Sequence, residues 1–176
     1  MIAGLSSSTV RHPTIETVHT LLRRELAAVR RSVEAYPDDA SLWIERPGLP
    51  NTGGNLALHL AGNLQHFFGA VLGKTGYVRD RDSEFSRRGI PRAELLAQLD
   101  AAGRGIDAGM NALDAKTLAQ PYPEKVGGRT ISTQDFVTHL LSHLAYHLGQ
   151  LDYHRRGVTG DNTSIGAVPV KELGTD

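Results

Sequence analysis

Apolar residues recur every three or four positions along four separate stretches of this chain, and that spacing limits what it can fold into. From Thr14 to Tyr36, the residues Ile15, Val18, Leu22, Leu26, Val29, Val33 and Tyr36 share one helical stripe, which Pro37-Asp38-Asp39 ends. A second stretch runs from about Gly54 to Leu72, with Leu56, Leu60, Leu64, Phe67 and Val71 on one face and Gly73 and Gly76 just beyond it. Pro91 opens a third, through Leu95, Leu99, Ile106, Met110 and Leu113. Its Gly103, Gly105 and Gly109 predict either a close approach by a neighbouring helix or a break. Ser132 or Thr133 caps the fourth, which carries Asp135 in its first turn and continues to about Arg156.

Four amphipathic stretches with little strand signal predict an all-α four-helix bundle. Residues 118–132, LAQPYPEKVGGRTIS, read as a small β-hairpin or tight loop around Gly127-Gly128. The connection from Lys74 to Ile90 reads as a long loop carrying Arg79-Asp80-Arg81-Asp82 and then Glu84-Phe85. At 176 residues the chain has the size of one domain, 1–176, with the bundle at about 14–156 and a loop-like tail at 157–176.

Nineteen Lys plus Arg balance nineteen Asp plus Glu, so there is no net positive charge to draw the chain onto nucleic acid or an anionic membrane. Cysteine is absent, which excludes disulfides, thiolate metal sites and a cysteine nucleophile. The N-terminal residues MIAGLSSSTVRHPT contain no signal-peptide core, and no run approaches the roughly 18 apolar residues of a membrane span. The expected location is the cytoplasm.

Eight histidines are the outlying feature of the composition. His139, His143 and His147 recur at intervals of four in the fourth stretch, with Gln150 and His154 continuing the stripe. Imidazoles at i and i+4 share a helix face, so a neighbouring pair can bind one divalent ion. Periodicity alone does not separate 139/143 from 143/147. A further ligand has to come from a facing helix, where His59 lies in the polar stripe Asn55, His59, Asn63, His66. His12, His19, His66 and His154 are expected to be exposed or hydrogen-bonded. Leu144 follows His143, so the HExxH motif of zinc proteases is absent, as is the paired carboxylate pattern of di-iron bundles.

The segments HLLSHLAYHLGQLDYHRRG, NLALHLAGNLQHFFGAVLG and YVRDRDSEF resemble the DinB-like metalloproteins over about Thr14 to Arg156. That family includes bacillithiol S-transferases and mycothiol-dependent maleylpyruvate isomerase. Its motif joins a His on the second helix to HxxxH leading into Gly-Gln on the fourth. The resemblance therefore implies His59, His143 and His147 as metal ligands, and it implies an up-down-down-up bundle, a homodimer, and bound zinc or nickel. Leu148 departs from the Arg that many members carry. Three imidazoles leave coordination positions open, as catalytic sites do. The expected function is a metal-dependent thiol S-transferase acting on a small-molecule electrophile, with a low-molecular-weight thiol as cosubstrate. A metal-dependent hydrolase and a non-catalytic metal or small-molecule binding bundle are the alternatives. Asn63 or Gln150 is expected to orient the rings.

Overall fold

The computed structural model describes residues 11–165 and 170. The readings of the remaining terminal residues, including most of the signal-peptide argument and the end of the tail, lie outside these. Four long helices carry the fold: α1 (Pro13–Glu34), α2 (Gly53–Leu64), α4 (Arg92–Asn111) and α6 (Thr133–Thr159), with short helices α3 (Arg81–Ser86) and α5 (Ala115–Leu118) in the connections. α2 continues without interruption as a π-helical segment, Gln65–Leu72. One 3₁₀ turn, Ala40–Trp43, follows α1.

Local chemistry sets the boundaries. The His12 side chain accepts from the Thr14 amide at the start of α1, Thr52 accepts from the Asn55 amide at the start of α2, and Ser132 accepts from the Asp135 amide at the start of α6. Gly160, with φ of 73°, ends α6 in the left-handed conformation that glycine adopts without strain.

Helix directions follow from which residues meet. Arg30 pairs with Asp100 at 2.6 Å and His19 with Asp107 at 2.8 Å, so α1 and α4 are antiparallel. His59 meets His147 while Phe67 meets Phe136, so α2 and α6 are also antiparallel. Gly69 lies against Gly105 and Gly73 against Gly109, which makes α2 and α4 parallel. The result is an up-down-down-up bundle whose core includes Leu22, Val29, Leu60, Leu64, Ile106, Val137, Leu144 and Leu151.

The glycines of α4 support a close contact, and the helix stays intact. A Cβ on Gly105 would stand 3.3 Å from the Gly69 Cα, and one on Gly109 would fall on the Phe68 carbonyl. That close contact is made within one chain, between α2 and α4. Residues 118–132 form a tight loop with isolated bridges and no strand among the described residues. Val126 and Arg129 exchange two 3.0 Å backbone bonds across Gly127-Gly128. Lys74–Ile90 is not all loop, because Asp80 caps α3 within it by accepting from the Ser83 amide.

At the far end of the bundle His154 is fully buried. Its Nδ1 accepts from the Tyr36 hydroxyl at 2.7 Å and its Nε2–H donates to the Ile44 carbonyl at 2.9 Å. Beside it the buried Arg155 pairs with Asp152 and Asp161, which holds the chain after α6 against the helix. No described helix is long and apolar enough to cross a membrane.

Gly109→Ala should destabilise by about 1–3 kcal/mol despite alanine's better helix propensity, because its methyl must displace backbone. Gly157→Ala, whose Cβ meets nothing within 4 Å, should stabilise by up to about 1 kcal/mol; urea unfolding of both variants checks the contrast. Burial depresses the His154 pKa, with the Ile44 hydrogen bond partly opposing. Below the free imidazole value of about 6.5 the unfolded chain takes up a proton that folded His154 resists, so stability falls as pH drops from there. The metal-free His154→Asn variant should lose that share of the slope between pH 7 and 5, measured by unfolding midpoints (approximate window).

Candidate metal centre

Three imidazoles converge between α2 and α6. His59 Nε2 lies 3.3 Å from His143 Nε2, and His147 Nε2 lies 3.1 Å from the same atom. The α-helical step of four residues brings His143 and His147 onto one face, and antiparallel packing places His59 opposite them. One nitrogen from each ring lies within 4.8 Å of the others, close enough for the cluster to hold a metal ion.

The outward nitrogens of two rings are held. His59 Nδ1–H donates to Glu84 Oε2 at 2.9 Å, and Glu84 is held in turn by Arg79, whose Nε reaches Oε1 at 2.7 Å and whose Nη2 reaches Oε2 at 2.9 Å. Arg79 Nη2 also stands 3.4 Å from His59 Nδ1, too far to compete with the carboxylate. His147 Nδ1–H donates to Gln150 Oε1 at 2.7 Å. Both rings therefore turn an Nε2 lone pair toward the cluster, the arrangement that outer partners impose on metal-binding imidazoles. His143 Nδ1 is buried with no hydrogen-bond partner among the described residues.

Electrostatics favour the neutral form of His143 and His147 and the charged form of Glu84. Burial, reinforced by neighbouring His147, His59 and His139 and by Arg79, pushes the His143 pKa down to about 4. Burial also lowers His147, against the opposing Gln150 hydrogen bond. Burial alone would raise Glu84, but hydrogen bonds from Arg79 and His59 outweigh it and hold the carboxyl below its ordinary value. Neutral imidazoles with inward lone pairs are the state that a divalent ion requires. The donor set therefore fits a metal.

The other expectations separate cleanly. His139 is exposed, lies outside the cluster and stacks on Phe136 at 6.0 Å between centroids. His12, His19, His66 and His154 are each hydrogen-bonded elsewhere. Gln150 orients His147 as expected, but Asn63 does not reach His59: its Oδ1 is buried with no partner among the described residues. Glu84 holds His59 instead. Leu148 is buried in the core, so an Arg at this position would not fit the packing of this chain. Sequence reasoning noted Arg79 and Glu84 in the connection but gave them no role. The available signal was Gly62, one turn after His59, because a Cβ there would collide with the Glu84 carboxylate.

A family model of the DinB superfamily matches residues 21–151, and the chain belongs to that superfamily. No curated protein matches the chain.

Glu84→Ala should weaken divalent-metal affinity about 10- to 100-fold, and Glu84→Gln, which keeps an acceptor but loses the charge, should fall between it and the parent. Competition against a chromophoric chelator measures both, with circular dichroism confirming retained helix.

Proposed function

We propose that this chain is a metal-dependent thiol S-transferase acting on small electrophiles, with His59, His143 and His147 as the ligands of a zinc or nickel ion. The observation that carries this reading is the convergence of three imidazoles where the one adjoining carboxylate among the described residues, Glu84, is already bound by Arg79 and His59. A hydrolase needs a group to take a proton from water, and Glu84 is not free to do so. A thiol ionises near pH 8.5 (approximate), far below water, and so needs less help from a base. A divalent ion held by the three rings would supply Lewis acidity that favours the ionised thiol over the neutral one.

The chain's own contribution is orientation and exclusion. Glu84 and Gln150 fix two rings by accepting their Nδ1 protons, and the Phe85 ring, 5.0 Å from that of His59 between centroids, shields this side of the cluster from water. With no cysteine in the chain, the thiol is a separate low-molecular-weight cosubstrate. The protein acts as a cytoplasmic homodimer in this reading, which for the dimer and the compartment rests on the family resemblance and on the sequence, respectively.

Protein purified without chelator should carry about one divalent ion per chain. His59→Ala, His143→Ala and His147→Ala should each lose most of it, whereas the exposed His139→Ala should retain it. Electrophile consumption should require both the metal and an added thiol. Equal rates without thiol would establish hydrolysis instead, and metal binding without turnover of any electrophile would establish a binding bundle.

A further inference from the structure

A cavity of about 240 Å³ lies beside the histidine cluster, walled mainly by Leu49, Pro50, Leu56, Gly149 and Tyr153, with Asn51 and Gln150 as its polar side chains. Its position follows from helix periodicity. Leu56 is one turn before His59 on α2, and Gln150 is one turn after His147 on α6 and hydrogen-bonded to it. The inner wall of the cavity is thus the same amide that orients a ring of the cluster.

The walls favour a neutral occupant. Leu49, Pro50, Leu56 and the Tyr153 ring supply carbon surface, and the His154 ring that also borders the space has both nitrogens engaged, by Tyr36 and by Ile44. The similar cavity between α1 and α4 differs in kind: Arg30 pairs with Asp100 and Arg23 with Asp107 at its edges. Leu49 and Tyr153 keep 45% and 72% of their surface exposed at the mouth, so filling the cavity would bury apolar surface now in water. A cavity of about 150 Å³ with apolar walls is enough to take up benzene. The larger space here accommodates one ring, with Gln150 between it and the cluster.

We propose that this cavity is a subsite for a neutral, ring-sized apolar group of the electrophile, held next to the histidine cluster across Gln150. The identification of that molecule as an electrophile rests on the transferase reading above; the apolar subsite itself rests on the cavity. Gly149 gives the wall no side chain, and a Cβ there would meet no atom within 4 Å. The cavity can therefore be filled from this position without disturbing the helix.

Benzyl alcohol titrated into the isotope-labelled, metal-loaded protein is the test, followed by amide chemical shifts. Saturable shifts are expected at Leu56, Gly149 and Gln150. Gly149→Leu should weaken binding by at least about tenfold, and Tyr153→Ser, which removes an exposed wall and leaves the core untouched, should weaken it too. Metal content, measured in parallel, should stay at the parent level in both. Shifts centred elsewhere, binding unchanged by Gly149→Leu, or shifts that follow protein concentration and so report a second copy covering the mouth would each overturn the proposal. Probe binding needs no turnover. Intact binding with no thiol-dependent reaction would sink the transferase reading and leave the subsite standing, while normal turnover with no probe binding would do the reverse.

Discussion

The glycine-lined contact between α2 and α4 governs much of what surrounds the histidine cluster. Gly69, Gly73, Gly105 and Gly109 let these two helices approach as parallel neighbours, and parallel neighbours cannot be joined by a short turn. The chain must return the length of the bundle between Leu72 and Arg92, and α3 forms on that return path and packs on α2. Arg79 and Glu84 arrive beside His59 because the connection has to pass there. Gly62 leaves room for the carboxylate to lie against the helix.

Once placed, Glu84 sits in balanced electrostatics. A buried carboxylate without partners is strongly unfavourable, and here the Arg79 guanidinium and the His59 N–H satisfy both oxygens. Removing Arg79 would leave an uncompensated charge beside the imidazoles; removing Glu84 would leave Arg79 facing them. The triad therefore acts as a unit in fixing His59, and single deletions within it are not expected to add.

The helices were legible in the sequence because each buries a stripe with a single period, and so were the positions of His59, His143 and His147. Spacing alone left 139/143 and 143/147 equivalent. In the structure the difference is that His147 faces His59 across the bundle, whereas His139 lies a turn further along, against Phe136. Asn63 misled for a related reason: its place in the polar stripe is real, but the partner of His59 comes from a segment distant in sequence. Helix α3, six residues long, is too short for periodicity to reveal, and the charges around it read as part of a long loop. The role of the α4 glycines was undecidable locally, since a close contact is a property of the opposing helix.

His143 sets the internal tension of the site. For all three Nε2 atoms to present lone pairs at once, its proton must reside on Nδ1, which is buried without an acceptor among the described residues. With the proton on Nε2 the ring instead donates toward His59 or His147, at 3.3 or 3.1 Å, and Nδ1 is left as an unsatisfied acceptor. Either tautomer leaves one buried polar atom unpaired, a penalty of about 1–3 kcal/mol that His59 and His147 escape through Glu84 and Gln150. His143 is thus positioned by contact with its aromatic neighbours, edge-on to both His59 and His147, and not by an outer hydrogen bond. Two rings of the cluster are fixed by hydrogen bonds and the central one by packing, which places the least constrained ligand candidate where it touches both others.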